Sequence, residues 1–146
     1  MDDKQQIIKV ITQQFEGFRW DQNTRPNWDS VRSTFHPDAI CFPSRRPAMA
    51  VTPREFIQRM DQLRIDGVLT SFSEKICFYE VQCYPNMASV TVGCEMTENQ
   101  TEVSYDINSI NMIFDDGRWQ ICSQAWVAVN KEQCQLYFSK KEQPEE

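Results

Sequence analysis

Apolar side chains recur at helical spacing near the N-terminus. Ile7, Ile8, Ile11, Phe15 and Phe18 form one stripe between about residues 2 and 22, which predicts an amphipathic first helix. Gln22-Asn23-Thr24-Arg25-Pro26 breaks the pattern, and Trp28, Val31 and Phe35 then mark one face of a short second helix. His36-Pro37-Asp38 ends it, because a residue before proline is pushed out of the α region. Ala39-Ile40-Cys41-Phe42 reads as a short strand, and Pro43 to Val51 as a loop. Thr52-Pro53-Arg54-Glu55 is the strongest local signal in the chain. Thr caps, Pro takes the first helical position, and Glu reaches back to the cap. The third helix carries Phe56, Ile57, Met60 and Leu63 and stops near Gly67.

Beyond Gly67 the period changes from helical to alternating. Ser71 to Tyr84 is rich in aromatic and β-branched residues, and Pro85-Asn86 turns the chain. Ala88, Val90, Val92, Cys94 and Met96 alternate with polar or small residues, a half-buried strand. Glu98-Asn99-Gln100 is the next turn, and Val103, Tyr105 and Ile107 alternate in the strand after it. The apolar parity then flips to Ile110, Met112 and Phe114, which predicts a β-bulge near Asn108 or Ser109. Asp115-Asp116-Gly117 turns the chain again. The last strand carries Trp119, Ile121, Ser123, Ala125 and Val127 on one face, and Arg118, Gln120, Cys122, Gln124 and Trp126 on the other. This order predicts one α+β domain over residues 1–139, with a charged, disordered tail over 140–146. Leu136, Tyr137 and Phe138 suggest that the segment after Asn130 docks, in a conformation the pattern leaves open.

Composition narrows the function classes. A chain of 146 residues fits one domain with a core of its own. Hydrophobic residues make up 40% and charged residues 25%, which is globular rather than disordered. A formal net charge of −6 argues against nucleic acid or an anionic membrane as partner, and Arg45-Arg46 is too short a basic cluster to reverse that. No apolar run is long enough to span a bilayer. Asp2 and Asp3 lead into an amphipathic helix rather than an export signal, so a cytoplasmic location is expected. Cys41, Cys77, Cys83, Cys94, Cys122 and Cys134 then read as reduced and mostly as small core residues. With no Cys-x-x-Cys pair and a single His, the usual zinc spacing is missing, and neither metal nor cofactor is expected.

Two segments carry a family resemblance. One is Phe35-His36-Pro37-Asp38-Ala39, followed by Thr52-Pro53-Arg54-Glu55-Phe56-Ile57; the other is Asp115-Asp116-Gly117-Arg118-Trp119-Gln120-Ile121-Cys122-Ser123, closing on Trp126. Together they resemble the SnoaL-like branch of the nuclear transport factor 2-like superfamily, with matching topology from about residue 5 to 130. The resemblance implies a cone-shaped, strongly curved antiparallel sheet wrapped around three N-terminal helices, a cystatin-like roll, with a pocket between sheet and helices. That scaffold hosts isomerases, dehydratases, polyketide cyclases, dioxygenase small subunits and binding modules, so function rests on the site. In the ketosteroid-isomerase-like branch the base aligns with about Pro43, the tyrosine with about Phe15, and the late acid with Ser109 or Ile110. The scytalone-dehydratase-like branch uses paired histidines, and this chain has one His. In the polyketide-cyclase-like branch an Asp four residues after a late Trp is the base, and here Asn130 follows Trp126 at that spacing. These acid–base positions are therefore vacant.

Phe15, Phe18, Met60, Tyr105, Trp119 and Trp126 are the candidate pocket wall, or plain core, with Asn108, Asn111, Ser123 and Gln124 as polar companions. The first reading is a module that binds a small apolar or aromatic molecule and dimerises through the sheet's outer face. The second is an isomerase, dehydratase or cyclase with an unrecognised pair, such as Asp106 or Glu95 as base and Tyr105 or Tyr79 as acid. Alternation sets Glu95 and Asp106 opposite the apolar face, which favours the first reading. A purely structural or dimerisation subunit is the third. Arg45 and Arg46 border the expected pocket mouth, where they serve either as a solvated loop or as partners for a ligand carboxylate or phosphate. His36 and Asp38 read as helix-end and turn residues. A carboxylate with a raised pKa facing into the pocket would overturn the binding-only reading.

Overall fold

The computed structural model of the chain describes residues 1–139 and 142–144, apart from the Phe138 side chain. The described residues form helices α1 (Asp3–Gly17), α2 (Trp28–Ser33), α3 (Pro53–Ile65) and α4 (Lys131–Phe138). The strands are β1 (Phe35–Phe42), β2 (Phe72–Cys83), β3 (Met87–Glu98), β4 (Glu102–Asp115) and β5 (Arg118–Val129).

Local chemistry sets the helix ends. The Gln5 N–H donates to Asp2 at 2.8 Å and the Asp2 N–H donates to the Gln5 side chain at 3.0 Å, a reciprocal cap that opens α1. Thr52 and Glu55 make the same arrangement at α3, with Pro53 at the first helical position as the sequence predicts. Beyond α3, Gly67 takes φ +73°, a left-handed stop that suits glycine. The second helix is shorter than expected. Phe35 belongs to β1, so His36, Pro37 and Asp38 sit within a strand instead of ending a helix. The strand tolerates Pro37 because its register against β5 breaks between Phe35 and Ile40.

The sheet order is β1-β5-β4-β3-β2. Strands β2 to β5 form the expected antiparallel meander, and Asp116 (φ 52°) and Gly117 (φ 76°) make its last two-residue turn. Strand β1, however, runs parallel to β5. The sheet is therefore mixed rather than wholly antiparallel. Periodicity cannot encode this, because β1 meets a strand some eighty residues further on through tertiary contacts.

Bulges fall elsewhere than predicted. Pairing runs unbroken through Asn108 and Ser109 on both sides of β4. Cys122 is the extra residue in β5, between the pairs Met112–Ile121 and Asn111–Ser123. Cys77 plays the same part in β2, between Ile76–Cys94 and Phe78–Gly93. The inward set on β4 is thus Asp106, Asn108, Ile110 and Met112, all buried. Val103, Tyr105 and Ile107 point to the outer face. Their apolar character imitates a core pattern and caused the false parity flip. On β5 the inward set is Trp119 and Ile121 before the bulge, then Gln124 and Trp126 after it.

Ile7 and Ile11 of α1 and Val31 of α2 pack on Val90, Val92, Ile110 and Ile121 of the sheet, all at most 1% exposed. An aromatic chain closes the other end: Phe18 meets Trp28 and Phe56 edge-on, and Phe56 meets Trp126 at 4.9 Å between ring centroids. The segment after Asn130 is α4, which Asn130 caps and which buries Cys134. In the expected tail, the Tyr79 N–H donates to the Glu142 carbonyl at 2.9 Å, and the Glu142 side chain pairs with Lys4. Residues 140, 141, 145 and 146 lie outside the described residues.

Candidate functional site

Between the helices and the inner face of the sheet lies a cavity of about 230 Å³. Its walls are apolar: Phe15 and Phe18 from α1, Phe35 from β1, Phe56, Met60 and Leu63 from α3, Phe72 from β2, Met96 from β3 and Trp126 from β5. Polar side chains line it only in certain places. Glu74, Asp106, Asn108 and Gln124 come from the sheet and Gln14 from α1.

The sheet register brings these polar groups together. Cys94 on β3 stands directly opposite Asp106 on β4, and Glu74 on β2 is one diagonal step from Cys94, being paired with Met96. Asn108 follows Asp106 on the same face, and Gln124 lies diagonal to Asn108 across the β4–β5 pair. One donor atom each from Glu74, Cys94 and Asp106 lie within 4.8 Å of one another. The Asn108 amide donates to Asp106 at 3.0 Å, and the Gln124 amide donates to the Asn108 carbonyl oxygen at 3.0 Å. Two buried polar atoms at the cavity, Glu74 Oε2 and Gln124 Oε1, have no hydrogen-bond partner among the described residues. In a protein interior such atoms are uncommon and await a partner.

Electrostatics makes the two carboxyls a single unit. Burial pushes the Asp106 carboxyl up to about 6, against hydrogen bonds from Glu74, Cys94 and Asn108 that hold it down. Glu74 is raised well above the usual carboxylate range, first by burial of its carboxyl and then by the negative charge of Asp106. Two carboxyls this close in an apolar setting oppose each other's ionisation, so the pair keeps its last proton to a higher pH than a free carboxyl would. Both are raised, Glu74 the further of the two. Burial likewise raises the Cys94 thiol well above its ordinary value and the Cys41 thiol to about 12, so neither is a ready nucleophile. Glu74, Cys94 and Asp106 could together ligate a cation, which would release the proton of the carboxyl pair and that of the Cys94 thiol.

Phe15, Phe18, Met60, Asn108 and Trp126 line the cavity as expected. Tyr105, Trp119 and Ser123 do not. Tyr105 lies on the outer face, where its hydroxyl donates to Glu95 at 3.2 Å. Trp119 is 3% exposed but packs edge-on against Phe114 at the hairpin end, as core. Ser123 falls beyond the Cys122 bulge and accepts from the Asn111 amide at 3.0 Å. Glu95 is on the outer face as alternation suggests, but Asp106 is inward, which corrects its expected placement. Pro43 and Phe15 do line the cavity, with no carboxylate or hydroxyl to offer, while Ile110 is core and Asn130 is spent capping α4. Glu74 is the residue that sequence reading missed; that reading offers Asp106 only as one option for a base, on the wrong face, and Gln124 only as a polar companion of the wall. The available signal was the run of even positions from Asp106 to Met112, which matches the Ala88-to-Met96 face across the hairpin.

No protein-family model and no curated protein matches the chain. Solved structures do, at low identity. A protein from Kribbella flavida superposes with a TM-score of 0.71 at 12% identity, over 92% of this chain and 95% of that one. A nuclear transport factor 2-like protein from Cytophaga hutchinsonii gives 0.67 at 14%, over 88% and 100%. A candidate scytalone dehydratase from Novosphingobium aromaticivorans gives 0.69 at 10%, over 87% and 84%. The chain thus has the nuclear transport factor 2-like, or cystatin-like, fold.

Proposed function

We propose that this protein is an acid–base catalyst of the isomerase, dehydratase or cyclase type, acting on a small, largely apolar molecule, within the SnoaL-like branch of its fold. The observation that carries this reading is the Glu74–Asp106 pair at the floor of an apolar cavity. Burying two carboxyls costs stability, and binding a purely apolar molecule would offset none of that cost. A site for proton transfer would, because a base works best when its pKa lies near the working pH. The binding-only reading depended on a pocket without such a carboxylate.

In the proposed step the Asp106 carboxylate takes a proton from a substrate carbon, and the electron pair stays on the substrate. Both carboxyls are then neutral, the state that burial favours. Asp106 returns the proton at a second carbon or to a leaving oxygen. Glu74 keeps its own proton and supports the charge of Asp106 before transfer. The lone His36 sits on β1, outside the cavity lining, so paired-histidine chemistry has no counterpart. Val103 and Val127 are 53% and 45% exposed, and we place a homodimer contact on that outer face.

Elimination of 5-nitrobenzisoxazole tests the step without knowledge of the natural substrate. A base removes the C–H proton of its isoxazole ring, the electron pair forms the nitrile, the N–O bond breaks and a coloured cyanophenolate is released. The rate should rise with pH through a midpoint of about 6 and level off. Asp106→Asn should lower the plateau by about 10²–10⁴-fold, with circular dichroism unchanged. Equal rates in both proteins, or a rate that only tracks hydroxide, would overturn the proposal.

A further inference from the structure

The cavity has a polar floor, apolar walls and a rim of a different character. Among the described residues only two that line it are exposed, and both are arginines: Arg45, in the loop after β1, and Arg59 on α3. Among the described residues they are also the only Lys or Arg side chains in the lining. In a chain of net charge −6, a rim whose exposed members are both cationic departs from the general surface.

The neighbouring arginine shows the contrast. Arg46 Nη1 donates to the carbonyls of Pro43, Ser44 and Arg45, at 3.1, 3.0 and 3.1 Å, and so fastens the loop on itself. Arg45 is thereby held at the cavity edge, and neither it nor Arg59 has an ion pair or hydrogen bond through its guanidinium among the described residues. Glu98 on β3 also lines the cavity, and it forms no ion pair with either arginine among the described residues.

We infer that the cavity takes an organic oxyanion, a small apolar body carrying a carboxylate or a phosphate ester, with the anionic group on Arg45 and Arg59 and the apolar end at the floor. This rests on the reading of the cavity as a substrate pocket and adds the substrate class. Charge at both ends sets the orientation. The ionised Asp106 repels an anion from the floor, while the two guanidinium forks bind it at the rim. The volume of about 230 Å³ falls below the roughly 300–1,000 Å³ of drug-sized sites, so the body is about one ring in size.

Calorimetric titration with cinnamate, cinnamyl phosphate and cinnamyl alcohol tests this on the full chain. Cinnamate or the phosphate should bind about tenfold tighter than the alcohol, and which of the two is tighter assigns the oxyanion. Arg45→Ala combined with Arg59→Ala should erase that preference while the alcohol still binds as before. Raised salt should weaken the anions selectively. Equal affinity for anion and alcohol in the unmodified protein, or a double variant that weakens all three ligands alike, would overturn the inference. The titration reads binding without turnover. A failed elimination assay with intact anion preference therefore sinks only the catalytic reading, and the reverse result sinks only this one.

Discussion

At position 106 an acidic side chain is held where an apolar one would pack better. Asp106 is 3% exposed and its pKa is raised to about 6. A carboxyl raised in the folded state stabilises the fold below its unfolded pKa of about 4, and that contribution is lost as pH rises through about 6. Asp106→Asn removes the charge but keeps the shape and an acceptor for Glu74. It should therefore make the protein about 1–3 kcal/mol more stable than the parent above about pH 7, with the gap closing toward pH 4. Urea denaturation at the two pH values reads this directly. A variant less stable than the parent at high pH would mean that the buried carboxylate is stabilising. A gain in stability together with a lost elimination rate would mark a residue kept for its chemistry.

Among the elements, the α1–α2 corner tolerates least. A Cβ on Gly17 would meet Val31 Cγ2 at 2.6 Å and the Asn27 carbonyl at 3.1 Å. Val31 is fully buried and β-branched, so it has little room to turn away. Gly17→Ala should cost about 1–3 kcal/mol in thermal or urea unfolding, and a loss under about 0.5 kcal/mol would mean that the corner relaxes freely. Elements written in local chemistry were legible in the sequence. The Thr52–Glu55 cap, the Gly67 stop and the Asp116-Gly117 turn each follow from a few adjacent residues. The parallel pairing of β1 and the bulges at Cys122 and Cys77 were not, because they depend on which strand lies alongside. The site was lost by the same route. Val103, Tyr105 and Ile107 supply an apolar outer face, and a reading that equates apolar with inward turns β4 over and hides Asp106. The helical residues Phe15, Phe18 and Met60 of the expected wall kept their places because a local period that no bulge can shift fixes them.

Across the whole molecule, the parts act together. The helices supply an aromatic roof, the sheet a polar floor, and the β1–α3 connection with α3 a cationic rim. The same apolar enclosure that would exclude water from a substrate also raises the two carboxyls, so pocket and base arise from one arrangement. Fold likeness at 10–14% identity carries the scaffold and nothing finer, whereas a proton shared by Glu74 and Asp106 is a property that the two side chains themselves must show. That shared proton can be observed without a substrate. In protein labelled with ¹³C at the aspartate carboxyls, the resonance absent from Asp106→Asn identifies Asp106, and its shift is followed with pH. The account predicts a midpoint at about 6; titration at the ordinary aspartate value of about 4 would contradict it.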